Sequence, residues 1–536
     1  MYGRSTRALE PFLEITSLPV LSTPTSRSLS GRARWTLVAY GFAFVGFVVV
    51  AAAPGSTLRV VSTPDVGYPG IWNWVGRFTG LSAASVDVRV VCSLLAIASI
   101  TAAFLLVVRG AARGWFPVRN LLAVGVAAHV VVLLLPLLYS ADVFSYTMYG
   151  RVAAVHGYNP YVVTPSAFPH DPAYPLVDPV WRETTPVYGP AFTGLSIGVA
   201  EVTGTPTSSL LGFRLIAVAA SLATTLLIAW TATSLRPELV AFGVAAFALN
   251  PAVLFQTAAS GHNDLLVSLA IAAGAALLAS GRALVAVGAF TLGMLVKLTA
   301  GPAVLVSAGA AVGRLGTRAR SWLAVPGVVT ALVLLVAGPF VQSADPSLGQ
   351  LQLSRHEGWI GNGRFLRLAL EHLGLGHATT PIRSAIGLAL IFGATVLAVR
   401  AYRRADDPAE VLATIAWAML GTLLLLPALL PWYAAWALPL VWVVRDPARH
   451  LLLGLSVIGM LSLVVADARL FPEAFQVVAR VANHVIAPVV FLVAIWMLVR
   501  LTRSLRRGES LAVSRDGSPR PNTKPVSEAA PRETIA

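Results

Sequence analysis

Leu138-Tyr139-Ser140-Ala141-Asp142-Val143-Phe144-Ser145-Tyr146 is the stretch on which the reading of this chain turns. It follows a long apolar run and opens a polar, aromatic and proline-rich segment that reaches Tyr188-Gly189-Pro190. A carboxylate set where hydrocarbon gives way to water is poorly suited to packing. It suits chemistry on a substrate that is itself half lipid and half sugar.

The composition says that there is hydrocarbon to emerge from. Of 536 residues, 56% are hydrophobic and 12% charged, with a mean hydropathy of +0.75. A soluble protein of this length carries roughly twice that charged fraction. Several apolar stretches approach the ~20 residues needed to cross ~30 Å of hydrocarbon. The chain therefore reads as an all-α polytopic integral membrane protein. Its net charge of +15 invites a nucleic-acid partner, but the positives gather between apolar runs. They include Arg32/Arg34, Arg109/Arg113/Arg119, Arg314/Arg318/Arg320, Arg400/Arg403/Arg404, Arg445/Arg449 and Arg500/Arg503/Arg506/Arg507. All can lie on one membrane face, which is the positive-inside arrangement, and nucleic acid is not needed. The single Cys92 allows neither a disulfide nor a Cys-based metal site.

The first apolar run ends in Ala51-Ala52-Ala53, but a long polar leader precedes it and Pro54 would follow a cut, so it reads as an uncleaved span. Residues 1–34 read as a disordered cytoplasmic N-terminus, 35–505 as the transmembrane domain and 506–536 as a disordered cytoplasmic tail. The hydropathy pattern predicts about thirteen spans. The 139–202 segment is the main loop on the face opposite the arginines, and 342–380 is a second loop there. Within the first loop, the short segment after Tyr188-Gly189-Pro190 reads as interfacial or re-entrant. The 284–312 region, with Lys297 and a Gly301-Pro302 break, reads as two short helices meeting partway through the membrane.

Asp142 stands out among the chemistry-bearing residues. Alone it could be an exposed carboxylate or a helix cap. Around it stand Tyr146, Tyr149, Arg151 and the run Gly157-Tyr158-Asn159-Pro160-Tyr161, with Tyr188 at the far end of the loop. Carboxylates take protons from sugar hydroxyls, aromatic faces stack on pyranose rings, and an arginine pairs with phosphate. His262-Asn263-Asp264 precedes an apolar helix; one member suffices as a cap, so the others are candidates for substrate contact. Lys297, inside an apolar run, either snorkels to the interface or holds a lipid-linked phosphate. Arg355, His356 and Arg364 of the second loop are either solvated residues or further contacts. Trp432-Tyr433, flanked by prolines, serves an aromatic belt or a break facing a cavity. His170, Asp171 and Asp178 form no recognised metal-ligand pattern.

Taken together, Asp142-Val-Phe-Ser-Tyr, Tyr149-Gly-Arg, Gly157-Tyr-Asn-Pro-Tyr161, Tyr188-Gly-Pro190 and His262-Asn-Asp264 resemble the MptA/MptB family, closer to MptB. These are actinobacterial polyprenyl-phosphomannose-dependent α-(1→6)-mannosyltransferases of the GT-C superfamily. The resemblance covers roughly 35–505. It implies a GT-C fold with extracytoplasmic juxtamembrane helices, a plasma-membrane location, and an acidic base in the first large loop, carried here by Asp142. Two spans precede the loop's own span, a departure that leaves Asp65 of the 54–87 loop as a weaker candidate. The implied reaction is inverting transfer of mannose from the lipid-linked donor to the 6-hydroxyl of an α-mannoside, which builds the backbone of a cell-envelope lipoglycan. The partners are a lipid-linked sugar, a mannoside acceptor and membrane lipid. With a single phosphate as leaving group, the chemistry requires no metal, and no cofactor is expected. Two alternatives stay open: another polyprenyl-phosphate sugar donor such as arabinose, or a transporter for lipid-linked sugars. A transporter would keep its ionisable groups near the midplane, whereas here they collect on one face.

Overall fold

The computed structural model describes residues 29–60, 69–316, 319–342, 345, 348–351 and 361–513. Among them the protein is all-α, as the composition requires. Eight helices are long and apolar enough to cross a membrane, or nine when the bent pair Pro237–Ala248 and Ala252–Ala258 counts as one span. The expected thirteen is not settled by length alone, because several further apolar helices fall short of ~20 residues.

Capping residues and prolines set the helix starts. Ser30 caps α1 (Gly31–Ala52) and Ser85 caps α3 (Val86–Ala112). Between them lies the amphipathic α2 (Pro69–Thr79). The chain returns through α4 (Val118–Leu133) and then makes a tight passage to α5 (Asp142–Ala154). Pro190 opens α6 (Pro190–Val202), and a Thr205–Ser208 capping box with Pro206 opens α7 (Pro206–Leu235). A first-turn proline gives up an N–H that had no helical partner anyway. Next come α8 (Val240–Ala248), a π-helical turn over Ala252–Ala258, α9 (Asp264–Ala279) and α10 (Ala283–Val296). The C-terminal half holds α11 (Gly301–Leu315), α12 (Ala319–Ala337), α13 (Asn362–His372), α14 (Thr379–Arg403) and α15 (Pro408–Leu425). It closes with α16 (Ala448–Ser462), α17 (Pro472–Val481) and α18 (Ala487–Arg506).

The bundle has two chemically different ends. At one, Arg236, Arg400 and Arg445 all bond to backbone carbonyls of residues 509–513. The Glu410 carboxylate accepts from the N–H groups of Leu511 and Ala512 and from the Ser510 hydroxyl. Residues 506–513, expected in the tail, thus form a helix end and an ordered strap, and the rest of the expected tail lies outside the described residues. The Asp142 end lies opposite, because the 30-residue α7 runs from one to the other.

The 284–312 region differs from expectation. Helices α10 and α11 pack against each other as a hairpin, and Lys297 sits at its tip beside Asp264, the first residue of α9. At the other end of the hairpin, Arg314 of α11 donates to the Leu278 carbonyl of α9. The pair thus runs between the two ends of the bundle. The Gly301-Pro302 break starts a helix, Pro302 being in its first turn.

Helices α5 and α6 cross at the Asp142 end, and neither is among the helices long and apolar enough to span a membrane alone. Two glycines of the quoted motifs owe their place to close approach. A Cβ at Gly150 would run into the Ser196 carbonyl of α6, and one at Gly189 into the Leu295 carbonyl of α10. Gly189 N–H also donates to the Val296 carbonyl at 2.9 Å, which locks the start of α6 onto the hairpin tip. Gly150→Ala should destabilise the protein by about 1–3 kcal/mol, the range for overpacking. Gly194→Ala, whose Cβ meets open space on α6, should leave thermal unfolding in detergent unchanged or slightly later. Equal behaviour of the two variants would remove the close-crossing account.

Candidate functional site

The passage into α5 is held from several sides. Val60 and Tyr139 exchange backbone hydrogen bonds with Leu137 and Leu58 across a short antiparallel bridge. Tyr139 adopts φ +64°, a left-handed conformation that costs a non-glycine residue energy and is retained where the surroundings impose it. The fully buried Arg214 of α7 donates to the carbonyls of Leu135, Pro136 and Ala259. Ser260 Oγ donates to the Leu138 carbonyl at 2.6 Å. The segment that delivers Asp142 and the turn that delivers His262 are thereby tied to one another.

Those ties bring the predicted residues together. His262 Nδ1 lies 3.9 Å from Asp142 Oδ2, 3.9 Å from Asp264 Oδ2 and 3.1 Å from the Tyr146 hydroxyl. Trp432 stacks on the His262 ring at 4.1 Å between centroids. The Tyr146 ring meets Tyr188 and Phe192 edge-on at 4.9 and 4.8 Å. Tyr149 is buried in the same core.

Lys297 is committed. Its ammonium donates to Asp264 Oδ1 at 2.8 Å and lies 3.4 Å from Asn263 Oδ1. The rings of Tyr433, Trp436 and Tyr188 surround it, with centroids at 4.7, 5.2 and 5.7 Å. Trp436 Nε1–H donates to the same Asp264 oxygen at 2.6 Å. Lys297 neither snorkels nor stands open to a phosphate, because a carboxylate and three aromatic faces already enclose it.

Exposure separates the two carboxylates. The Asp142 side chain is 21% exposed and that of Asp264 is 0%. Burial pushes the Asp142 carboxyl up, the positive Lys297 and a hydrogen bond from Ser140 pull it back, and the balance stands at about 6. Three buried atoms of the turn, His262 Nε2, Asn263 Nδ2 and Asp264 Oδ2, make no hydrogen bond within the described protein. Buried polar atoms are nearly always paired, so such a cluster is the mark of a site made for another molecule.

Other expected contacts lie elsewhere. Arg151 is paired with a carboxylate within its own loop: its Nε donates to both Asp171 oxygens at 2.9 and 3.0 Å, and His156 joins at 2.8 Å. Asn159 caps the Tyr161 N–H, and the Tyr161 hydroxyl donates to the Tyr188 carbonyl at 2.7 Å, so both brace the loop. Arg364 is half-buried at the start of α13, and its Nε makes no hydrogen bond. Arg355, His356 and Asp65 lie outside the described residues. Trp436 and Arg214 were not singled out from the sequence. The signal for Arg214 was present, a charge inside an apolar helix, by the same reasoning that marks Lys297. Among the described residues no group of three His, Cys, Asp or Glu side chains converges as a metal site.

Fold and site together define a polytopic membrane protein with its polar centre at one end of the bundle, built from a short helix, an inter-helix turn and a hairpin tip. The chain belongs to the alpha-(1->6)-mannopyranosyltransferase family: the model of that family's N-terminal domain matches residues 38–313, and the MptB C-terminal domain matches 361–504. It is similar to alpha-(1->6)-mannopyranosyltransferase A of Mycobacterium tuberculosis, at 29% identity over 332 residues. That match covers 58% of this chain and 63% of the relative, under two thirds of the relative's length. No solved structure matches the chain.

The Arg151–Asp171 pair gives a prediction about stability. Burial alone would raise the Asp171 carboxyl; hydrogen bonds from Arg151, the Ala173 N–H and His156 outweigh it and hold it below the usual range. A depressed carboxyl contributes stability above its unfolded pKa and loses it as pH falls through the folded one. Arg151→Ala should therefore cost about 3–5 kcal/mol at neutral pH, the range for breaking a buried pair. The gap from wild type should narrow below about pH 4. A gap independent of pH would deny Asp171 this role.

Proposed function

We propose that this protein transfers mannose from a polyprenyl-phosphomannose to the 6-hydroxyl of an α-mannoside, with inversion, on the extracytoplasmic face of the plasma membrane. The observation that carries the reading is the reachable Asp142 carboxylate beside the unpaired polar atoms of His262-Asn263-Asp264 and the faces of Tyr146, Tyr188 and Trp432. The arginine-rich end is cytoplasmic by the positive-inside rule, which puts Asp142 outside. The similarity to a named mannosyltransferase supports the sugar, and the membrane setting supports a lipid-linked donor.

Asp142 accepts the proton of the acceptor 6-hydroxyl. The hydroxyl oxygen bonds to the anomeric carbon as the bond from that carbon to the phosphate oxygen breaks, and the electron pair leaves on the polyprenyl phosphate. A single displacement turns a β-linked donor into an α-linked product. The unpaired atoms of the His262 turn hydrogen-bond sugar hydroxyls, and Trp432 and Tyr188 frame the ring. Because Lys297 is held by Asp264, the phosphate falls to an arginine on the Asp142 side, for which Arg355 and Arg364 are the candidates. Lys297 acts through its field, keeping Asp142 ionised at neutral pH. Repeated transfer lengthens the α-(1→6)-mannan backbone of a cell-envelope lipoglycan.

Membranes containing the protein, given labelled polyprenyl-phosphomannose and a short α-mannoside, should form labelled product. Asp142→Asn should lower the rate by about 10²–10⁴-fold, the usual contribution of general base catalysis. Full activity in that variant would remove Asp142 from the role of base.

The wild-type rate should rise with pH through about 6, where the Asp142 carboxyl deprotonates. Lys297→Met, which removes a charge that lowers this pKa, should move that limb to higher pH. A limb that stays in place would break the electrostatic link.

A further inference from the structure

Away from Asp142, α14, α15 and α18 leave a groove between them. Its larger part holds about 480 Å³ beside the middle of α14, walled by apolar side chains including Leu390, Leu397, Trp417, Leu498 and Leu501. Val396 and Leu505 line both this trough and a second space of about 390 Å³. That second space is lined by Arg400, Arg403 and Arg404 of α14 and by Gly508, where the C-terminal strap begins.

The three arginines are not equivalent. Arg400 is neutralised: its Nε donates to Glu410 at 3.1 Å and its Nη2 to the Glu509 carbonyl at 2.6 Å. Arg403 and Arg404 are exposed, and among the described residues no carboxylate lies within ion-pair distance of either. An apolar trough between the helices thus opens, at its basic end, onto the uncompensated guanidinium groups of Arg403 and Arg404, with the exposed Arg506 of α18 on the trough's own rim. A guanidinium presents a planar fork of donors that fits a phosphate. Basic pockets between membrane helices on this side take anionic lipid head groups.

We propose that the groove is a binding site for an anionic phospholipid of the leaflet at the basic end. One acyl chain lies in the trough between α14 and α18, and the phosphate rests on Arg403 and Arg404. The site is at the opposite end of the bundle from Asp142 and does not depend on the function proposed for that end. The apolar residues of the trough set no head-group preference; the arginines at its basic end do. The bound lipid also covers the junction at Gly508, so it and the strap support each other.

The test uses the full chain, purified in detergent and stripped of lipid, with phosphatidylglycerol and phosphatidylcholine as probes. Native mass spectrometry should show one phosphatidylglycerol retained per chain, and the thermal midpoint should rise with phosphatidylglycerol but not with equal phosphatidylcholine. Arg403→Gln with Arg404→Gln should reduce retention at least tenfold and abolish the rise. Gly421→Leu fills the trough from a position where a Cβ meets open space and leaves the charges intact; it should also abolish retention. Equal stabilisation by the two lipids, or retention by the double variant at the wild-type level, would overturn the proposal. So would a stable dimer that Gly421→Leu dissociates and phosphatidylglycerol leaves unaffected, since a second copy would then occupy the groove.

Discussion

The buried pair between Lys297 and Asp264 is the interaction on which the Asp142 end depends. Both side chains are almost wholly withdrawn from water, and two such charges persist only when each satisfies the other and the remaining lone pairs and protons find partners. Trp436 and Asn263 supply partners on the Asp264 Oδ1 and ammonium side, the rings of Tyr433 and Tyr188 supply faces that favour a cation, and Asp264 Oδ2 is the one atom of the pair left open toward the site. The pair joins the tip of the α10–α11 hairpin to the first residue of α9. It therefore fixes the turn carrying His262, and through Gly189 the start of α6. Its remaining field reaches Asp142. One ion pair closes the packing and tunes the carboxylate that water can reach.

A second constraint works from the α7 side. Arg214 and Ser260 tie the passage before Asp142 to the turn before His262 through carbonyl oxygens. Neither tie touches the candidate chemistry. Together with the left-handed Tyr139, they leave the Asp142–His262 separation little freedom, as a site held on rigid elements requires.

Much of this was legible before the structure. The polytopic all-α class follows from charge and hydropathy, and the motif residues Asp142, Tyr146, Tyr188 and His262 do meet. What could not be read is which members of a motif serve packing. Gly150 and Gly189 sit in motifs beside aromatic residues, yet each is there because a neighbouring helix carbonyl leaves no room for a side chain. Arg151 looks like a phosphate ligand until Asp171 is seen twenty residues on, and spacing in a proline-rich loop does not reveal such a pairing. The 284–312 region misled for a related reason: a Gly-Pro step reads as an interruption, but at a hairpin turn it is a good helix start. The ordered segment after α18 was missed because its six or so residues contribute hydrogen-bonding backbone rather than apolar side chains.

That segment bears on how the protein is made. Glu410, Arg236, Arg400 and Arg445 belong to helices and turns spread over more than two hundred residues of chain. What joins them is the backbone of residues 509–513, which is synthesised after every described helix. Until then a buried carboxylate and three guanidinium groups at the basic rim lack their last partners. Completion of the bundle is in this sense recorded at its basic end: a chain that stops short of Val513 carries every described helix and still leaves that rim unsealed.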